Sequence, residues 1–286
     1  MLKLQLGHLV KTSGKGASLR LRQPRRLRPG RPSRANELWY KAELLKLVRH
    51  ISNVAEVRLE PVLQSMVRSA AFDGMTHDAN TSLMSELNAL AKSFGGIGIT
   101  AKRLAALAIE RNLKAVDTSL AAAIRASVGI DVSGFFTKAG PIRDAMSFAT
   151  KANIELITSI PTQYLEKVAA AVEKNFVAGV RWEDLAKSVA EVGDVTESRA
   201  KLIARDQTSK MNSAFNSVRQ TSLGIDQYIW QTSGDERVRE EHAANDGQIF
   251  NWDKPPATGH PGEDINCRCV AIPYFNLDQQ QEDLGL

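Results

Sequence analysis

YIWQTSGDERVREEHAANDGQIFNWDKPPATGHPGEDINCRCVAIPY, residues 228–274, is the stretch where the chain changes character. Aromatic and β-branched residues at 228–232 predict a strand, and Gly234-Asp235 predicts a turn. One or two helical turns fit 236–244. Short strands are expected over 247–252 and 267–274, separated by a Pro- and Gly-rich connection from Pro255 to Asn266. This is the pattern of a small α+β module. It contains both cysteines of the chain and two of its five histidines.

Upstream, the pattern is helical. Asn36 is placed to cap a helix carrying Leu44, Val48, Ile51 and Leu59, with Pro61 expected to kink or end it. A second helix is expected from about Thr100 to Ser127, with Gly95-Gly96-Ile97-Gly98 as a flexible joint before it. That glycine cluster has no GK[ST] and no preceding strand, so it is not read as a phosphate loop. A third helix is expected over 142–159, and a fresh one after Pro161 with Leu165, Val168, Ala169, Val172 and Phe176 on one face. Gly179 is read as its C-terminal cap, a short helix follows over 182–192, and Thr196 caps another that runs to Leu223, where Gly224 stops it. The fold class is therefore mainly α: a helical N-terminal and central body with a small α+β C-terminal module.

The 286 residues suffice for one large or two ordinary domains, and the 43% hydrophobic and 24% charged content is that of a globular protein. No run approaches the roughly 20 apolar residues of a membrane span, so no membrane partner is expected. The N-terminus lacks the apolar core and cleavage site of a secretory leader. Two cysteines one residue apart make no disulfide framework, which points to synthesis in a reducing cytoplasm.

Charge is unevenly placed. Residues 1–36 hold ten basic side chains and no acid, so the remaining 27 basic and 32 acidic residues leave the body at net −5. Arg20, Arg22, Arg25, Arg26, Arg28, Arg31 and Arg34 lie in a Pro- and Gly-punctuated segment, read over 1–33 as a basic, flexible arm. Such an arm suits the phosphate backbone of double-stranded DNA, or an acidic protein surface as a docking peptide; a merely solvated leader is the plain alternative. The tail, 276–286, is acidic.

His242, His260, Cys267 and Cys269 offer two imidazoles and two thiols, a donor set suited to tetrahedral zinc acting as a structural clip. The alternative places both cysteines on one face of a strand as small buried hydrophobes, with the histidines as hydrogen-bonded anchors. Asp235 and Arg239 are expected to pair at i,i+4 on a short helix. His242, Asn245, Asp246 and His260 provide the residue types of a metal-dependent phosphodiesterase, although their spacing matches no nuclease pattern. No nucleophile elbow is present, and no catalytic residue is assigned.

Ala204-Arg205-Asp206-Gln207-Thr208, then Gly234-Asp235-Glu236-Arg237-Val238-Arg239 with His242, then His260-Pro261 with Asn266-Cys267-Arg268-Cys269, occur in this order. In these motifs the sequence resembles the F-like minor head proteins of Mu-type tailed bacteriophages, over about residues 155–274, and Arg205, Asp235, Arg237 and Arg239 fall within the shared motifs. The resemblance implies a structural virion component, made in the bacterial host and held in the head interior near the portal vertex. It also implies a role in head morphogenesis, with a link to DNA delivery in some members, and the portal and other head proteins as partners. A metal-dependent DNA-processing enzyme and a nonspecific DNA-binding protein are the alternatives. The expected division is 1–33 arm, 34–150 helical domain, 151–275 head-morphogenesis domain and 276–286 tail.

Overall fold

A computed structural model of the chain describes Leu6, Leu9 and residues 25–73, 77–178 and 181–275. In chain order the elements are β1 (Arg25–Arg26), α1 (Arg34–Asp73), α2 (His77–Ser93), α3 (Ile97–Val128), α4 (Pro141–Val177), α5 (Trp182–Ser222), β2 (Gln227–Gln231), α6 (Glu240–Ala244), β3 (Ile249–Asn251) and β4 (Val270–Phe275). The protein is mainly α with a small α+β C-terminal module. None of the described helices is long and apolar enough to cross a membrane.

Three local helix-boundary signals are overridden. Pro61 and Pro161 lie inside α1 and α4. An interior proline costs about 3 kcal/mol in a bare helix. Buried residues nevertheless flank each, with Pro61 itself exposed and Pro161 buried: Leu44, Ile51, Leu59, Leu63 and Met66 in α1, and Ile157, Ile160, Tyr164 and Val168 in α4. Before Pro161, the hydroxyls of Thr158 and Ser159 donate to the carbonyls of Ile154 (2.9 Å) and Leu156 (2.8 Å). Thr196 is no cap: it lies within α5, is buried, and its Oγ1 donates to the Val192 carbonyl four residues back. The expected cap at Asn36 is also displaced. Ser33 caps α1, accepting the Asn36 amide on its hydroxyl (3.3 Å) and the Glu37 amide on its carbonyl (3.0 Å). The glycine joint is one turn of 3-10 helix, Phe94–Gly96, leading into α3. Gly224, with φ +73°, ends α5 as expected. Gly179 lies outside the described residues.

Two compact units are formed by alternating stretches of chain: one from Met1–Glu37, Leu107–Ala149 and Arg205–Leu286, the other from Leu38–Ala106 and Thr150–Ala204. The second, helical unit is tied by Tyr40, whose buried hydroxyl donates to Asn153 (2.8 Å). The pairs Arg58–Glu86 (2.6 Å) and Arg49–Glu197 (3.1 Å) link its helices at the surface.

The first unit carries a four-stranded antiparallel sheet in the order β1-β4-β2-β3. Trp230 faces Ala271 across β2 and β4, and Tyr228 faces Phe250 across β2 and β3. Because side chains alternate along a strand, Tyr228 and Trp230 share one face, where they are buried with Trp252, Cys267, Cys269 and Ala271. The described end of the basic arm is packed against this unit. Arg25 and Arg26 pair with Phe275 and Tyr274, Leu27 is buried, and the Gly30 carbonyl accepts a hydrogen bond from Asn212 (2.8 Å). A Cβ at Gly30 would stand 2.9 Å from Asn216 Oδ1, so a larger residue there would require the Asn216 amide to shift.

Candidate metal centre

The site is assembled from three pieces of chain. α6 presents His242. The segment after the Asn266 bend, whose φ is +60°, presents Cys267 and Cys269 at alternate positions. β2 supplies Trp230, whose ring meets the His242 imidazole edge-on at 5.3 Å. All three donor side chains are buried. His242 Nδ1 lies 3.5 Å from the Cys267 sulfur and 3.6 Å from the Cys269 sulfur, and the three donor atoms fall within 4.8 Å of one another.

The other imidazole nitrogen fixes this orientation. His242 Nε2 lies 3.1 Å from Asp264 Oδ2, which also accepts from Arg239 Nη1 at 3.2 Å. With Nε2–H donating to the carboxylate, the bare Nδ1 lone pair faces the two sulfurs. A carboxylate behind a histidine in this way sets the tautomer that metal ligands use. The sulfurs are ready for a cation too. The Cys267 thiol is held well below the usual thiol range, first by the hydrogen bond from Cys269 and then by backbone amides of Cys269 and Gly262, while burial opposes the shift. Cys269 is pushed up in return, because one proton is shared between two adjacent sulfurs. A His, Cys, Cys set of soft donors with this geometry fits zinc, with one tetrahedral position left over.

His260 does not join the set. Its Nδ1 accepts from the Tyr228 hydroxyl at 2.9 Å, and its ring packs 5.0 Å from Trp252 and 5.6 Å from Tyr228. Burial lowers its pKa, opposed by Glu263. The four-ligand clip expected from sequence is therefore a three-residue cluster beside an aromatic anchor. The phosphodiesterase grouping is dispersed for the same reason: Asn245 donates to Thr258 (2.8 Å), and Asp246 accepts the Thr232 amide (2.7 Å). Asp235 and Arg239 do not pair, because α6 begins only at Glu240. Asp235 instead pairs with Arg268 (2.5 Å), and Arg239 with Asp264. The Arg268 guanidinium holds the Asp235 carboxyl below the usual range.

The loop that delivers the cysteines rests on a stripe of α5 that apolar periodicity does not reveal. Asp206, Ser209, Ser213, Asn216 and Gln220 recur every three or four residues and line one helix face. Asp206 accepts the Asn266 amide (3.0 Å), Ser209 donates to the Cys267 carbonyl (2.8 Å), and Ser213 donates to the Pro261 carbonyl (2.5 Å). Gln220 accepts the Trp252 indole N–H (3.1 Å). The signal in the sequence is polar residues at helical spacing. Among the arm residues, Arg20 and Arg22 lie outside the described residues, Arg26, Arg28 and Arg31 are exposed, and Arg34 opens α1 and pairs with Glu37.

The three metal-binding candidates border a cavity of about 280 Å3, which Arg205, Arg237, Arg239 and Arg268 also line. Another cavity, of about 440 Å3, lies in the helical unit among Met84, Leu87, Phe94, Ile97, Pro161 and Leu165; Glu166 is its one ionisable residue among those described.

A helical body bearing a small sheet module with a soft-donor cluster defines the architectural class. Residues 166–272, which include nearly all of that module, match the family described as Phage Mu protein F like protein. Over 257 residues, 90% of this chain and 57% of the relative, it is 37% identical to an uncharacterized protein of Haemophilus influenzae. Over 157 residues, 46% of this chain and 50% of the relative, it is 26% identical to the Minor head protein GP7 of Bacillus phage SPP1. The chain thus spans between 50% and 57% of the length of these curated relatives. No solved structure matches it.

Proposed function

We propose that this chain is a structural minor head protein of a tailed bacteriophage that acts in head morphogenesis by binding rather than turnover. The observation that carries the reading is the Mu F-like match over residues 166–272, supported by the similarity to a phage minor head protein. On this reading its partners are the portal and other head proteins, and its place is the head interior near the portal vertex. The exposed arginines Arg26, Arg28 and Arg31, with the basic residues before them, are positioned to meet packaged double-stranded DNA through its phosphates and to accompany DNA delivery. The His242–Cys267–Cys269 cluster serves as a structural zinc site that ties the loop at 261–269 to α6.

Mass spectrometry of purified particles tests the role. The protein is expected in the head fraction at low copy number, and its absence from particles contradicts the reading. The DNA interaction is tested by converting Arg26, Arg28 and Arg31 to glutamine. Deleting the arm is a poorer test, since Leu27 and Gly30 are built into the fold. Sequence-independent DNA binding should weaken and its salt dependence should fall, by about one unit of slope for each phosphate no longer neutralised. Unchanged DNA binding without portal co-purification would make the arm a docking peptide instead.

A further inference from the structure

The cavity over the cysteines has an unbalanced charge. Among the described residues, four arginines border it and no carboxylate does. Arg239 and Arg268 are neutralised by Asp264 and Asp235, which stand behind the lining. Arg205 and Arg237 have no ion-pair partner among the described residues. The same cavity is bordered by His242, Cys267 and Cys269, so a metal held by these three has its remaining position open to an exogenous ligand from that side. A divalent cation and two thiolates sum to zero. The two unpaired guanidiniums then leave the cavity at +2, and a tetrahedral phosphate group offsets that charge, a dianionic free phosphate in full and a monoanionic backbone phosphodiester by half. Guanidinium forks match phosphate oxygens two at a time, which a carboxylate could satisfy at only one of the two arginines.

We propose that the module is an anion-accepting metal centre: His242, Cys267 and Cys269 hold a divalent metal, and its open position together with Arg205 and Arg237 takes a phosphate group. The proposal rests on the metal-site reading given above. It adds that the site faces a ligand instead of being closed. The phosphate is either free or part of a nucleic-acid backbone, and the chemistry of recognition is the same.

The test uses the purified full chain loaded with cobalt(II) in place of zinc. A thiolate-to-cobalt charge-transfer band is expected, and Cys269→Ser, which leaves a single thiolate, should weaken it while Cys267→Ser/Cys269→Ser abolishes it. Inorganic phosphate should shift the cobalt d–d bands saturably. The double variant Arg205→Ala/Arg237→Ala should keep the charge-transfer band and the far-ultraviolet circular dichroism, while half-saturation by phosphate rises by roughly tenfold or more, the scale of one or two charged hydrogen bonds. Cobalt bound with bands that phosphate does not move overturns the anion proposal and leaves the metal reading standing. No thiolate–cobalt band, and no zinc in the protein as purified, overturns both. A short DNA duplex in place of inorganic phosphate assigns the source: the same shift supports backbone phosphate, and a shift with the inorganic ion alone supports free phosphate.

Discussion

The interior of the helical unit and that of the sheet module solve the same problem with different materials. In the helical unit, Leu44, Ile51, Leu59, Ile157, Ile160 and Val168 are buried along helical stripes, and Tyr40–Asn153 is a buried hydrogen bond between side chains. Its stability comes from apolar area, at about 25 cal/mol per Å2, spread over many interchangeable residues. In the module, the interior is Tyr228, Trp230, Trp252, His242, Cys267 and Cys269, each with a defined orientation. A three-residue strand and a five-residue helix bury little area, so the module depends on particular interactions. Conservative changes should therefore be tolerated in the first region and not in the second.

The largest effect is expected from Trp230→Ala, which removes the fully buried ring against which His242 is set. It should cost about 3–5 kcal/mol in denaturant unfolding, whereas Leu59→Met in the helical unit should cost less than about 1.5 kcal/mol. Equal losses would break the comparison. Next comes Gly262→Ala. Its φ is +91°, its amide donates to the Cys267 sulfur at 3.4 Å, and an added Cβ would stand 3.0 Å from Ser213 Cβ. A loss of about 1–3 kcal/mol is expected from backbone strain alone, together with weakened metal retention measured by competition with a colorimetric chelator. Tyr40→Phe sharpens the comparison from the other side. It withdraws a buried donor from Asn153 and should cost about 1–3 kcal/mol, the one conservative change in the helical unit expected to matter.

The same contrast governs how much is legible in the sequence. The module's strands and the helical stripes are readable, because alternation and 3.6-residue periodicity are local properties. Boundary signals at Pro61, Pro161 and Thr196 mislead, because each is a local preference that the buried residues flanking it outweigh. His260 reads as a ligand because its residue type and proximity in sequence suit the cysteines. Only the fold shows that Tyr228 and Trp252 claim it. The bracing stripe Asp206–Ser209–Ser213–Asn216–Gln220 is invisible to apolar periodicity, since its partners are loop carbonyls, amides and an indole.

His260 has a pKa lowered from 6.5 by burial, so the folded state favours the neutral ring. Its stabilising contribution is complete above pH 6.5 and is lost as pH falls through the depressed folded value. Imidazole NMR titration should place His260 below 6.5, and a value at or above 6.5 would contradict its place in the aromatic anchor. Arg49→Ala, which breaks the exposed pair with Glu197, should change stability by only about 0.2–1 kcal/mol, as expected where area rather than a specific pairing dominates.

The most direct test is native-state hydrogen exchange on the full chain, with and without a strong zinc chelator. Chelation is expected to lower protection across residues 227–275 and to leave 38–106 and 150–204 unchanged. Identical protection in both conditions, or a uniform loss over the whole chain, would contradict the claim that the module alone is organised around the His242–Cys267–Cys269 centre.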